Sequence, residues 1–226
     1  MIKENISDIQ NQISKKCLEC SRKMGEITMV AVSKQNSVES IIEAGEIGIL
    51  DFGENRAPEL KEKFEICSKE IKWHFIGHLQ TNKVKDVVPT AHLIHSVDSI
   101  KLAKEIDKRA ANINKVQKIL LEVNTSGEES KFGMKIDDQV YELANFSKGL
   151  KNVELAGLMT MAPYTSDEDI VRNSFRSLKD IFIKLNNDGF NLVELSMGMT
   201  NDFEIAIEEG ATILRIGTAI FGSRKY

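Results

Sequence analysis

The feature that most constrains this chain is an alternation repeated eight times, in which short apolar runs are separated by amphipathic segments. The runs are ITMVAVS (27–33), GILDF (48–52), WHFI (73–76), HLIHS (92–96), QKILLEVN (117–124), VELAGLM (153–159), LVELS (192–196) and TILRI (212–216). Short runs of this kind between amphipathic segments read as strands of a parallel sheet, because only helices on its faces can cover such a sheet. The segments between them, near 37–46, 56–70, 82–88, 99–113, 136–148, 167–187 and 201–209, read as those helices. Eight such strands close a (β/α)8 TIM barrel. Without WHFI or HLIHS, the alternative is an open doubly wound sheet.

One segment stands outside the series. Ile2, Ile6, Ile9, Ile13, Cys17, Cys20 and Met24 are spaced by four and three, so residues 1–24 are expected to form an extra N-terminal helix packed on the barrel. Gly45, Gly189 and Gly210 follow helical segments, where a left-handed residue ends the helix. No Pro/Gly/Ser-rich linker or internal repeat interrupts the pattern, so residues 1–226 are expected to form one domain.

Composition removes several classes of function. Thirty basic residues against 34 acidic ones give a net charge of −4, with no basic run that would track a nucleic-acid backbone. No apolar run approaches the roughly 20 residues of a membrane helix, and the polar start MIKENISDIQ lacks a signal-peptide core, so a cytoplasmic location away from membranes is expected. Three cysteines do not make a disulfide framework. Cys17 and Cys20 read as two thiols on one helix, and no metal site is expected.

In a barrel of this kind, chemistry sits at the carboxyl ends of the strands. Lys34 follows the first strand and, by alternation, shares a face with Val30 and Val32. If those two fill the barrel, Lys34 points into its mouth, where partial desolvation favours a neutral amine that forms a Schiff base with a carbonyl. If they do not, Lys34 faces helices or solvent. The last two loops, SMGMTND from Ser196 and RIGTAIFG from Arg215, supply a hydroxyl, glycines and a short apolar turn. Loops at these places frequently bind phosphate, so they are expected to form an anion cup, with Gly217 and Thr218 just where the last strand ends; the alternative is that their glycines serve only tight turns. A phosphorylated aldehyde would span Lys34 and that cup.

Other polar residues are weaker candidates. His74 and His78 lie on a strand and its loop, without the helical spacing of a zinc site. His92 and His95 fall on opposite faces of one strand, Glu122 and Asn124 share a face, and Lys131 is a second amine expected in solvent.

AVSK, FGEN, WHFIGHLQTNKVK, NTSGEESKFG, GLMTMAP and SMGMTNDFEIAIEEGATILRIGTAIFG occur in this order along nearly the whole chain. In this the sequence resembles the pyridoxal phosphate homeostasis proteins (YggS/PROSC family). The resemblance implies a barrel like the N-terminal domain of alanine racemase, with pyridoxal 5′-phosphate (PLP) held as a Schiff base on Lys34. It also implies that Ser196, Gly217 and Thr218 hold the phosphate, that Arg215 faces the pyridine nitrogen, and that Asn55 lies close to the cofactor. Thr200 stands where many relatives have serine, and His78 where many have proline.

The function implied is buffering and delivery of PLP in vitamin B6 homeostasis, with no catalytic residue and with PLP-dependent apo-enzymes as possible acceptors. No exposed apolar stripe stands out in the sequence, so a monomer is expected. A second β-rich domain, which racemases and decarboxylases of this fold use to close the site, is not expected in a chain filled by one barrel. The alternative is a minimal racemase or Schiff-base lyase using Glu54, His74 or Glu122 for proton transfer. A pure interaction module would leave Lys34 and the cup unexplained.

Overall fold

The computed structural model describes residues 1–128, 132–135 and 138–222. Its strands are β1 (Thr28–Val32), β2 (Asp51–Glu54), β3 (Lys72–Phe75), β4 (Leu93–Val97), β5 (Gln117–Asn124), β6 (Met134–Lys135), β7 (Val153–Met159), β8 (Glu194–Ser196) and β9 (Ile213–Ile216). Every pairing is parallel. β1 pairs with both β2 and β9, while β4 pairs with β5, so the sheet closes on itself with eight staves. The two-residue β6 hangs on the end of β5 and is not a stave.

Each expected strand is present, and helices fill the intervals: α1 (Ile2–Glu19), α2 (Val38–Gly45), α3 (Ala57–Ile66), α4 (Val84–Val87), α5 (Ile100–Ala111), α6 (Asp138–Lys148), α7 (Glu168–Asn187), α8 (Phe203–Glu208) and α9 (Thr218–Phe221). Strand alternation divides the apolar residues between two layers. Ala31, Phe52, Phe75, Ile119 and Leu214 pack outward against helix residues such as Leu60, Ile106, Leu143 and Phe175. A smaller cluster of Val30, Leu93, Leu120, Ala156, Met159 and Ile213 fills the barrel itself. The N-terminal helix α1 buries Ile6, Ile9, Ile13 and Cys17 against α2, α8 and α9.

Several boundaries differ from the sequence pattern by a few residues, three of them for an evident physical reason. The first helix ends at Glu19 and does not run on to Met24, because Ser21 turns to a positive φ and Arg22 N–H bonds back to Cys17. Gly45 is the last residue of α2, and the left-handed position falls on Gly48, whereas Gly189 and Gly210 adopt that conformation as expected. The second strand covers Asp51–Glu54, later than GILDF suggests, since Ile49 packs into the core from the loop. No helix among the described residues is long and apolar enough to cross a membrane.

Candidate functional site

The chain stops being a strand at Ser33 because it turns there. Asn36 N–H bonds to the Ser33 carbonyl at 2.9 Å, closing a tight turn with Lys34 and Gln35 at its corners, and Gln35 takes φ 64°. A non-glycine residue in that region costs of order 1–3 kcal/mol, so the surroundings must hold it. They do so from α3. Lys63 Nζ donates to the Ser33 carbonyl at 2.9 Å, to Glu54 Oε1 at 2.7 Å and to Glu59 Oε1 at 2.7 Å. Ser33 Oγ donates to the same Glu54 oxygen at 2.7 Å, and Gln35 N–H donates to Glu59 at 2.6 Å. Lys34 is thus bracketed on both sides by a buried ion cluster, and its side chain lines a cavity of about 410 Å³ at the mouth of the barrel. Val32 lines the same cavity, and Val30 lies in the interior cluster below, so the inward reading of that strand face holds.

The opposite wall comes from the last two strands. After β8, Gly198 takes φ 95°, and a Cβ there would stand 2.5 Å from Ala206 Cβ and 2.9 Å from Leu214 Cδ2. Only glycine fits. The loop then closes through Met199 N–H on the Asp202 carboxylate and presents Thr200 to the cavity. Thr218 donates to Thr200 Oγ1 at 3.2 Å, so two hydroxyls from two loops meet at the start of α9, beside Gly217. Asn55 lines the wall next to Lys34. On the far side, Phe132 stacks on His78 with ring centroids 4.1 Å apart, joining the loop after β5 to the loop after β3.

The inner wall is charged. Arg215 is 4% exposed, donates to Ser196 Oγ and, at 2.8 Å, to the Thr160 carbonyl, and lines the cavity between two acids, Asp202 and Glu122. Burial pulls the guanidinium down to about 10, against the attraction of those acids, so it remains a cation at neutral pH. Glu122 has one carboxylate oxygen buried without a partner among the described residues. Burial, reinforced by Asp98 and opposed by Arg215, pushes it up to about 7. Asp202 is also raised by burial.

The structure therefore brings Lys34, Asn55, Arg215, Gly217 and Thr218 to one cavity, whose lining does not include Ser196. Its side chain is fully buried beneath the cavity, hydrogen-bonded to Arg215 and to His95 Nδ1 (2.9 Å), so its hydroxyl is committed inside the barrel. Glu54 and His74 also leave the set of possible acid/base groups. Glu54 faces α3, and His74 lies deep in the barrel interior, whereas Glu122 lines the cavity. Asn124 accepts from Ser126 N–H and Oγ and so shapes the loop. Lys131 lies outside the described residues.

Pattern alone missed Thr200, the Phe132–His78 stack and the Lys63 cluster. Glu59 and Lys63 form an i,i+4 pair, which in sequence reads as a solvated helix face. It is buried only because α3 packs over the turn at Ser33. Among the described residues, no group of three or more His, Cys, Asp and Glu could hold a metal ion.

Residues 3–225 match the family described as alanine racemase, N-terminal domain. The chain is 44% identical over 225 residues to the pyridoxal phosphate homeostasis protein of Aquifex aeolicus, covering 99% of this chain and 98% of that one. It superposes on PipY of Synechococcus elongatus, solved with PLP bound, with a TM-score of 0.85 at 30% identity, over 98% of this chain and all of that one. An alanine racemase from Clostridium difficile shares the fold at 14% identity and a TM-score of 0.81, over all of this chain and 57% of that one.

Proposed function

The chain belongs to the alanine racemase N-terminal domain family and, within it, to the pyridoxal phosphate homeostasis proteins; from that premise and the geometry of the mouth, we propose that it binds PLP and serves its homeostasis. PLP brings an aldehyde that condenses with a primary amine, a phosphate dianion, and a pyridine nitrogen that takes a hydrogen bond. The cavity supplies a counterpart for each. Lys34 offers the amine on a turn fixed from both sides. Thr200, Gly217 and Thr218 form the anion cradle, with the short α9 starting beside it. Arg215, which donates hydrogen bonds and accepts none, is the partner for the ring nitrogen, and Asn55 packs at its edge. In this reading Ser196 acts on Arg215 and not on the phosphate.

The observation that carries the proposal is the convergence of Lys34, Arg215 and the two-threonine cradle on one 410 Å³ cavity. Arg215, a cation at neutral pH, disfavours a protonated pyridine and so weakens the ring as an electron sink, which suits a protein that holds and releases PLP. We read it as a carrier in the cytoplasm that acts as a single chain and hands PLP to apo-enzymes. The test is an absorption titration with PLP and with inorganic phosphate as competitor. Saturable uptake that phosphate weakens, and that Thr200→Val with Thr218→Val weakens at least 10-fold, is expected; uptake indifferent to both would remove the cradle from the account.

One observation favours a second reading. Glu122 lines the cavity and is poised near neutrality, as a proton-transfer group would be. A minimal racemase would show amino-acid turnover that Glu122→Gln abolishes while PLP uptake persists.

A further inference from the structure

A hydrogen-bonded file of side chains runs through the barrel, starting at Arg215. Ser196 Oγ contacts Arg215, His95 Nδ1 lies 2.9 Å from Ser196 Oγ, His74 Nδ1 lies 2.9 Å from His95 Nε2, and Asp51 Oδ1 lies 3.0 Å from His74 Nε2. Asp51 begins β2, and with His74 it lines a separate cavity of about 170 Å³ that also touches Thr28, Lys72 and Lys118. Thr28, Asp51 and Lys72 open their strands and Lys118 is second in its own, so this cavity lies at the end of the barrel opposite the mouth that holds Lys34. The file therefore joins the two ends of the barrel, and none of its three middle members contributes to the carrier reading beyond Ser196.

The two ends decide the direction of every bond. A guanidinium only donates, and an ionised carboxylate only accepts. Asp51 is ionised at neutral pH: burial opposes the charge, but the His74 hydrogen bond and nearby Lys72 hold its carboxyl below the ordinary range. Ser196 accepts from Arg215 and gives its one proton to His95 Nδ1. His95 then carries its proton on Nε2 and donates to His74 Nδ1, and His74 donates from Nε2 to Asp51. Burial, with the Arg215 cation close by, holds His95 well below the ordinary histidine range, so it stays neutral. The competing arrangement makes His74 an imidazolium and puts the His95 proton on Nδ1. It would leave the Ser196 proton without an acceptor among the contacts of the described residues, and it would set a second buried cation near Arg215 and His92.

We propose that Ser196, His95 and His74 are positioning residues for Arg215, locked as a one-way hydrogen-bond file that lets the Asp51 carboxylate at the far end of the barrel govern the group facing the cofactor ring. Polarised chains of this kind strengthen each member, so loss of the terminal charge weakens the bond at the other end. The proposal rests on the PLP reading for the identity of the ring. The tautomers themselves do not.

The test therefore has two arms. In the first, long-range ¹⁵N–¹H spectra of the ring nitrogens are taken on protein without added PLP. His74 and His95 are expected as Nε2–H tautomers, and Asp51→Asn is expected to shift the ring nitrogens of both. Glu194→Gln removes the same charge beside the same cavity but off the file, and is expected to leave His95 in place. In the second arm, the PLP-loaded protein is followed by absorption. Asp51→Asn is expected to move the band, Glu194→Gln to leave it, and Ser196→Ala to abolish the response to Asp51→Asn while the histidine shifts persist. An imidazolium at His74, an Nδ1–H at His95, or a His95 ring unmoved by Asp51→Asn would overturn the proposal whether or not PLP binds. Failure to take up PLP, with the expected tautomers present, would count against the carrier reading and against the cofactor-facing half of the proposal alone.

Discussion

Replacing Lys63 by methionine probes how Lys34 is held. Lys63 is 5% exposed and Glu54 fully buried, so the substitution leaves a carboxylate in the protein interior with only the Ser33 hydroxyl to solvate it. Burial already pushes Glu54 up, with Lys63 as the main opposing influence. Without the lysine, Glu54 takes a proton on folding. From its ordinary value of 4.5, that costs at most about 3.4 kcal/mol at pH 7 and about 0.7 kcal/mol at pH 5, at 1.36 kcal/mol per pH unit. Lost hydrogen bonds to Ser33 and Glu59 add about 1 kcal/mol each, and the total agrees with the roughly 3–5 kcal/mol for breaking a buried pair from one side. At about 2–4 °C per kcal/mol for a chain of this size, Lys63→Met should lower Tm by roughly 6–20 °C at pH 7.

The sign with pH is definite. A folded carboxyl raised above its unfolded value adds stability below that value and loses it as pH rises, so the deficit of the variant shrinks between pH 7 and pH 5. The assay is thermal unfolding at both pH values, with Glu54→Gln and the double variant to complete a cycle. The double variant should be less destabilised than the sum of the single changes, because the stranded carboxylate is gone. PLP uptake should fall in Lys63→Met, since Gln35 loses the frame that holds its left-handed turn. A pH-independent deficit, additive effects, or undiminished uptake would show that the cluster does not set the position of Lys34.

Other expectations follow from single sites. Gly198→Ala combines a positive φ with a 2.5 Å contact to Ala206, so it should cost roughly 2–5 kcal/mol in urea unfolding; a loss below 1 kcal/mol would mean the loop shifts freely. Glu122, raised to about 7, contributes stability that is complete below 4.5 and lost as pH rises through 7. Glu122→Gln should therefore match the parent near pH 4.5 and exceed it by up to about 3 kcal/mol at pH 8, and parallel pH curves would refute the assignment. Arg215→Lys keeps the charge but not the fork that grips Ser196 and Thr160 together, so the band of bound PLP should move even where uptake survives.

Much of this architecture was legible because its signals are local. Eight apolar runs give eight strands, and alternation from Val30 and Val32 carries Lys34 to the mouth without knowledge of any neighbour. The loops proposed as the anion cradle were readable in outline, since glycines and hydroxyls gather at the ends of the last two strands, although tight turns alone would also place glycine there. What escaped depends on which elements meet. His74 and His95 are 21 residues apart and touch only because β3 and β4 are adjacent and both residues point inward. Ser196 reads as an available hydroxyl until Arg215 and His95 are seen to occupy it. Glu59 and Lys63 have the spacing of a solvated pair, and Gly53 and Glu54 read as loop until β3 pairs alongside them.

The central claim is that Lys34 is the amine that captures PLP, and covalent trapping tests it most directly. The protein is incubated with PLP, reduced with borohydride, digested and mapped by mass spectrometry, with Lys34→Ala in parallel. The account predicts a pyridoxyl group on Lys34 and its loss in the variant, with no compensating label elsewhere. A label on another lysine that persists unchanged in Lys34→Ala, or no label at saturating PLP, would contradict it.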